Sequence, residues 1–324
     1  MKYLVTGGAG FIGSHLSERL LDAGHSVLVL DDLSTGRYEN VGRLESRPDF
    51  ELRVASVTDP DVVERCVTEC QAVFHLASAV GVRLVVDEPV KTIETIVTGT
   101  DVVFRSCARY RRPVLLTSTS EVYGKSEKIP FSEGDDSVMG PTTTRRWAYA
   151  CAKALDEFLA LAHWYQTRLP VVVVRLFNTV GPRQTGRYGM VIPTFVAQAL
   201  AGAPITVYGD GAQSRCFGHV HDVVGALVRL IGHPEAVGQV FNVGNDQEIT
   251  ILALARRVLA LTGSQSPIRT IPYGEAYTAG FEDMHRRVPD LTKVRRLIGY
   301  EPTRDLDQIL ADVIADQAGQ RPGA

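Results

Sequence analysis

The chain of 324 residues is 45% hydrophobic and 22% charged, with a formal net charge of -3. This is an ordinary globular composition, long enough for a large core in one large or two interlocked domains, and it offers no global attraction to nucleic acid or an anionic membrane. No apolar run approaches the ~20 residues of a membrane span, and the strand-like start at Lys2 leaves no room for a signal peptide, so a cytoplasmic location is expected. Cys66, Cys70, Cys107, Cys151 and Cys216 lack paired spacings, which argues against a disulfide framework or a structural zinc site. His219 and His221 are spaced for a metal but have no third ligand nearby, so no metal is expected.

Lys2 to Thr6 reads as a short strand that runs into Gly7-Gly-Ala-Gly10-Phe-Ile-Gly13 and then into a helix with Leu16, Leu20 and Ala23 on one face, ended by Gly24. In that order, glycines permit a tight turn and close backbone approach to a pyrophosphate at the positive helix N-terminus. The next strand, Ser26 to Leu30, ends at Asp31-Asp32, where a carboxylate can accept hydrogen bonds from an adenosine ribose. Asp31 would repel a 2'-phosphate, so NAD is expected over NADP, although Arg37 lies nearby.

Strands at Phe50 to Val54, Ala72 to Leu76, Pro113 to Thr117 and Val171 to Leu176 then alternate with helices at Asp59 to Val67, Pro89 to Tyr110 and Arg146 to Thr167. Alternation of this kind specifies an α/β fold, a doubly wound parallel Rossmann sheet covered on both faces, with ligands at the carboxyl ends of its strands. Gly7, Asp31, Ala77, Thr119 and Asn178 fall at those ends. Residues 1–176 are expected to form this dinucleotide-binding part, and 177–324 a smaller α/β substrate-binding part rich in Gly and Pro turns. Its helices are expected at Val191 to Leu200, Asp222 to Ile231 and Ile251 to Leu261. Part of 221–245, including the Val240 to Asn242 strand, should return to the first part. No linker separates the two, so the site should lie between them, and the tail after Gln317 is expected to be disordered.

The chemistry concentrates between Thr117 and Lys153. On a helix, Tyr149 and Lys153 lie on one face and can meet the same ligand. A fixed ammonium should draw the phenol down from its ordinary ~10 toward the working range of a base. The hydroxyls of Thr119 and Ser120 complete the site if the strand end faces that helix.

Matching pieces along almost the whole chain resemble the extended short-chain dehydrogenase/reductase family, the NAD-dependent nucleotide-sugar epimerases, dehydratases and decarboxylases. They include Thr6-Gly-Gly-Ala-Gly-Phe-Ile-Gly13, Phe74-His-Leu-Ala77, Ser118-Thr-Ser-Glu-Val-Tyr-Gly124, Tyr149-x-x-x-Lys153, Arg175-Leu-Phe-Asn178, Gly181-Pro-Arg183 and Gln213-x-Arg215-x-Phe217. The resemblance implies that Gly7, Gly10, Phe11, Ile12, Gly13, Asp31, Asp32, Leu76 and Ala77 hold NAD, together with Tyr149 and Lys153. It makes Tyr149 the base on the sugar 4-hydroxyl, Lys153 the residue that tunes it, and Thr119 or Ser120 a partner at the 4-oxygen. Asn178, Arg183, Arg187, Val191, Thr206, Tyr208, Arg215 and Arg287 are implied to hold a UDP-sugar, and the two long helices to form a homodimer. Ala55-Ser56 stand where many relatives carry Gly-Asp, so the acid that reaches adenine there is missing; Ile96 stands where they carry Asn.

For the reaction, Glu121, Arg146-Trp147 and the stretch from Gly280 through Arg287 resemble UDP-glucuronic acid decarboxylases. Oxidation at C4 makes the uronate a β-keto acid, which loses carbon dioxide through an enolate, with Glu121 and Arg287 managing protons and carboxylate. The product is a UDP-4-keto-pentose or, after hydride return, UDP-xylose. The segment Gly181-Pro-Arg183-Gln-Thr-Gly-Arg187 equally resembles uronic acid 4-epimerases, and Thr119 with Glu121 resembles 4,6-dehydratases. A dinucleotide-sensing protein without catalysis is the alternative of a different class, against which intact Tyr149 and Lys153 argue.

Overall fold

The central strands are apolar on both sides because helices cover both faces of their sheet. The computed structural model describes residues 1–78, 88–186, 189–272 and 286–319. Its first part alternates β1 (Lys2–Thr6), α1 (Phe11–Asp22), β2 (Ser26–Asp31), β3 (Phe50–Val54), α2 (Pro60–Glu69), β4 (Ala72–His75), α3 (Pro89–Tyr110), β5 (Val114–Thr119), α4 (Trp147–Thr167) and β6 (Val171–Leu176). There follow β7 (Thr179–Val180), α5 (Val191–Leu200), β8 (Ile205–Tyr208), β9 (Ser214–Cys216), β10 (Gly218–His219), α6 (Val220–Ile231), β11 (Gln239–Val243), β12 (Glu248–Thr250), α7 (Ile251–Thr262), β13 (Ile268–Ile271), α8 (Thr292–Ile298) and α9 (Leu306–Gly319).

Seven strands form one parallel sheet in the order β11-β6-β5-β4-β1-β2-β3. Side chains alternate across it, as the period of a strand requires. Tyr3, Val5, Val27 and Val29 join Leu16 and Leu20 of α1 and Val223 and Leu227 of α6 in one layer. Leu4, Leu28 and Leu30 join Val63 of α2, Val103 and Phe104 of α3 and Ala160 of α4 in the other. Strand order reverses at β1, which has β4 on one side and β2 on the other, and this switch point opens a crevice beyond the strand ends. β11 joins the edge of the sheet beside β6, bringing the chain back from the smaller region.

The smaller region has its own core, in which Phe195 and Val196 of α5, Leu254 and Val258 of α7, and Ile309, Leu310 and Val313 of α9 meet Ile205 and Val207 of β8. Helix α9 corrects the expectation of disorder directly after Gln317, since it is helical to Gly319. Its apolar face is buried, Gln317 Nε2 donates to the Pro193 carbonyl at 3.0 Å, and Asp316 accepts from the Arg183 amide at 3.0 Å. Residues 320–324 lie outside the described residues. No helix among the described residues is long and apolar enough to cross a membrane.

Candidate active site

The glycine loop is shaped by steric need. Gly7 has φ +70°, and a Cβ there would lie 2.8 Å from the backbone of Ala77; at Gly13 it would lie 2.2 Å from the Gly7 carbonyl oxygen. Gly10 differs, because a Cβ there would meet only that same oxygen, at 3.1 Å. Gly10 is the N-cap of α1 and has no side chain to accept from the first turn. The early amides of the helix, from Phe11 to Gly13, therefore face outward with the positive end of the dipole, an arrangement that fits a pyrophosphate.

Asp31, at the end of β2, is buried; Oδ2 accepts from the Ala9 amide and Oδ1 from the Leu33 amide, both at 2.9 Å. Burial raises its pKa, and the amides of Leu33 and Ala9 oppose the shift. Each carboxylate oxygen keeps acceptor capacity for a ribose hydroxyl. Asp32 instead turns to the Ser34 amide at 2.9 Å. Leu76 and Ala77 flank the crevice, their amides bonded to Thr6 at 3.1 and 3.2 Å. Ser56 Oγ lies 2.8 Å from Thr58 Oγ1. These residues fit a dinucleotide.

The catalytic candidates meet where β5 passes into the turn Ser120–Tyr123, against the start of α4. Thr119 Oγ1 accepts from the Glu121 amide at 3.2 Å, and its hydroxyl bonds the Tyr149 phenol. Ser120 is buried beside it. The expected lowering of the phenol is corrected: its pKa is raised, first by burial and then by the Glu121 carboxylate, while Thr119 pulls the other way. The ammonium of Lys153 faces Asp156 Oδ2 at 3.0 Å in a buried ion pair.

Glu121 lies between two arginines. Arg287 Nη2 is 2.5 Å and Arg146 Nη2 3.2 Å from its carboxylate oxygens. Burial favours the protonated form, but Arg287 and Arg146 outweigh it and leave the pKa lowered. Arg287 arrives from far along the chain because the segment just after it forms an isolated bridge with Phe131, whose amide donates to the Val288 carbonyl and whose carbonyl accepts from the Asp290 amide, both at 2.8 Å. Arg146 is held by Trp147, a buried indole packed on Gly140, where a Cβ would lie 2.0 Å from Nε1. Two guanidiniums against one carboxylate leave this corner with net positive charge, suited to an anionic substrate group. Arg146 in this role was missed, although it stands three residues before Tyr149, within one turn.

The remaining candidates are more dispersed. Asn178 Nδ2 donates to the Cys216 carbonyl at 3.0 Å, and Arg215, buried on β9, donates to the Ser214 carbonyl at 2.8 Å. Thr206 on β8 is bonded to Gln198 of α5 at 2.8 Å, Tyr208 is partly exposed at the end of that strand, and Val191 opens α5. The Arg183 guanidinium bonds Ser14 Oγ at 3.1 Å and pairs with Glu18, so it ties the smaller region to α1. Arg183 also lines a cleft of about 520 Å³ with Arg37, Asn40, Gln184 and Gln198, none of which belongs to the cluster around Tyr149. Arg187 and the stretch from Gly280 to His285 lie outside the described residues. His219 and His221 stack at 5.0 Å, and His219 Nε2 lies 3.2 Å from Asp312 of α9.

Residues 3–244 match the family model described as the NAD dependent epimerase/dehydratase family. Over 314 residues the chain is 38% identical to a UDP-N-acetyl-alpha-D-glucosaminuronate decarboxylase of Bacillus cytotoxicus, covering 97% of this chain and 96% of that one. Over 316 residues it is 40% identical to UDP-glucuronic acid decarboxylase 2 of Arabidopsis thaliana, covering 98% of this chain and 68% of the relative. The UDP-glucose 4-epimerase of Thermus thermophilus, solved as a complex with NAD, superposes with a TM-score of 0.86 at 27% identity, covering 99% of this chain and 100% of that one. A match over most of the length, on a fold whose glycine loop and Tyr149 to Lys153 helix meet at one crevice, places the chain in the NAD-dependent epimerase/dehydratase family.

Proposed function

We propose that the protein is an NAD-dependent decarboxylase of a UDP-linked uronic acid, UDP-glucuronic acid in the first instance. The observation that carries this reading is the Glu121, Arg146 and Arg287 cluster beside Tyr149. A neutral hexose has nothing to offer two guanidiniums, whereas the C6 carboxylate of a uronate has. The first-turn amides of α1, Asp31 and Lys153 hold the cofactor, and Asp31 disfavours a 2'-phosphate. Bound NAD supplies a hydride acceptor for C4 and can return the hydride.

Tyr149 takes the proton of the 4-hydroxyl as C4 is oxidised, and Thr119 donates to the same oxygen. Arg146 and Arg287 hold the carboxylate so that the C5–C6 bond stands out of the plane of the new ketone. When that bond breaks, its electron pair moves into the C4–C5 enolate and carbon dioxide leaves. Tyr149, now holding the proton, and Thr119 stabilise the enolate oxygen, a task suited to a phenol of high proton affinity. A proton drawn from solvent and relayed to C5 through Glu121 gives the UDP-4-keto-pentose, and hydride return to C4, with the Tyr149 proton going back to the 4-oxygen, gives UDP-xylose. Residues from 177 onward, with Asn178, Arg215, Thr206, Tyr208, Val191, Arg183 and Arg187, are assigned to the UDP-sugar side.

A 4-epimerase is the second reading, favoured by the likeness to the Thermus UDP-glucose 4-epimerase and by chemistry that is shared up to the ketone. Incubation with UDP-glucuronic acid and its 2-acetamido analogue, followed by mass spectrometry, tests the choice: a product lighter by carbon dioxide is expected. An unchanged mass would replace decarboxylation with epimerisation, and a loss of water with dehydration.

The assembly is proposed to be a homodimer. Leu155, Phe158 and Tyr165 are exposed on one side of α4, and Val90 and Ile93 are exposed on α3, which packs beside it. Phe158 is 74% exposed, more than an isolated globular surface favours for a phenyl ring among other apolar groups.

A further inference from the structure

The contact of Glu121 with Arg287 joins two distant parts of the chain, and one buried side chain from a third part bonds the carriers of both. Asn242 of β11 is fully buried. Its Oδ1 accepts from the Tyr123 hydroxyl at 2.7 Å, and Tyr123 closes the turn Ser120–Tyr123 that carries Glu121. Its Nδ2 donates to the Phe131 carbonyl at 2.9 Å and to the Asp290 carbonyl at 3.3 Å, three residues beyond Arg287. The Phe131 carbonyl also accepts from the Asp290 amide, so Asn242 clamps the bridge that anchors the Arg287 segment. The Tyr123 ring stacks on Phe131, with centroids 4.6 Å apart and planes 7° from parallel, and the Arg175 guanidinium lies 4.7 Å from the centre of the Tyr123 ring. Arg175 is itself fixed by Glu157, which accepts from Nη2 at 2.8 Å and from Nε at 3.0 Å. The Asn242 amide, on the edge strand of the main sheet, donates to Glu133 Oε1 at 2.8 Å.

We infer that Asn242 is a positioning residue for the loss of the carboxylate: it holds the turn of Glu121 and the segment of Arg287 in register, so that Arg287 reaches the substrate carboxylate with Glu121 beside it. The inference rests on the proposed decarboxylase reading. An amide that spans three partners admits one arrangement of them, because any other leaves a polar atom of the buried side chain unpaired. A misplacement of about 1 Å in a reacting group can slow a step on the order of 100-fold. Oxidation of C4 depends on the clamp far less, since Thr119 is paired with Leu176 of β6 in the main sheet and Tyr149 stands on α4. The step that uses Tyr149 should therefore survive the loss of Asn242, and the step that uses Arg287 should not.

Asn242→Ala removes the clamp, and Tyr123→Phe removes one of its three bonds while keeping the buried ring. With the NAD-loaded enzyme and UDP-glucuronic acid labelled at C6, a single turnover gives two rates, reduced nicotinamide by absorbance and labelled carbon dioxide by mass spectrometry. Both rates scale with the amount of folded protein, so their ratio is independent of it. Carbon dioxide release relative to C4 oxidation is expected to fall by about 10- to 100-fold in Asn242→Ala and by about 3- to 10-fold in Tyr123→Phe. In an Arg287→Lys background, where the clamp no longer has its guanidinium to place, neither substitution should lower the residual ratio by more than about twofold. An unchanged ratio in Tyr123→Phe or in folded Asn242→Ala overturns the inference. So does a loss that adds in full to that of Arg287→Lys, or failure of both variants to fold, either of which would assign Asn242 to stability alone; if only Asn242→Ala fails to fold, Tyr123→Phe decides. Wild-type enzyme that releases no carbon dioxide from UDP-glucuronic acid overturns the proposed function and this inference with it, whereas wild-type decarboxylation with an unchanged ratio in the variants overturns this inference only.

Discussion

Glu121 is held as a carboxylate by Arg287 and Arg146 against the tendency of burial to protonate it. It therefore serves the later, carboxylate-handling step, and Tyr149 the earlier one. Tyr149→Phe is expected to give no reduced nicotinamide with UDP-glucuronic acid. Glu121→Gln should still oxidise C4 while carbon dioxide release falls by roughly 10²–10⁴-fold, the usual effect of a lost acid or base. Equal losses of both half-reactions in Glu121→Gln, followed separately by absorbance and by gas release, would remove Glu121 from the second step. His75 makes a prediction about stability. Its pKa is about 3 in the fold and ordinarily 6.5, so on acidification the unfolded chain binds the proton first. The stability carried by the neutral ring is complete above pH 6.5 and declines toward pH 3 by up to ~1.4 kcal/mol per pH unit. His15 and His219, each lowered to about 4 by burial, act in the same direction. Urea midpoints should fall between pH 7 and pH 5, with a shallower fall in His75→Gln; a midpoint that rises on acidification would contradict this.

Among the elements, the glycine loop is the least tolerant of change. Gly7→Ala forces a side chain into φ +70° and against the Ala77 backbone, so a loss of at least ~1–2 kcal/mol in a denaturant titration should accompany loss of NAD binding. Unchanged NAD affinity by calorimetry would mean that the loop does not hold the cofactor. The strands of the main sheet were legible because burial on both faces makes them continuous apolar runs, and β1, β3 and β6 have the bounds read from the sequence. The two-residue strands β7 and β10 were not, because Gly218 and His219 are extended only through their pairing with Thr179 and Val180. Helix α9 did carry a signal, Ile309, Leu310 and Val313 at helical spacing, which was passed over. In the site, the meeting of Thr119 with Tyr149 was legible from topology. The behaviour of the phenol was not, because its burial and the nearness of the Glu121 carboxylate come from tertiary packing.

Across the whole molecule, the first and last parts of the chain build one crevice: Arg287 reaches Glu121 only because 286–290 lies along Phe131, and Arg183 ties the smaller region to α1. The apolar side of α3 and α4 lies away from that crevice. Phe158→Arg should therefore convert a dimer to a monomer in light scattering without abolishing turnover, and a wild-type protein that is monomeric at micromolar concentration would refute the proposed assembly. The central claim is that an oxidised uronate loses its carboxylate at the arginine corner, and label placed in that carboxylate follows it directly. With UDP-glucuronic acid carrying ¹³C at C6, the account predicts labelled carbon dioxide in amounts equal to the unlabelled UDP-pentose formed. Label retained in UDP-galacturonic acid, with no gas released, would contradict it.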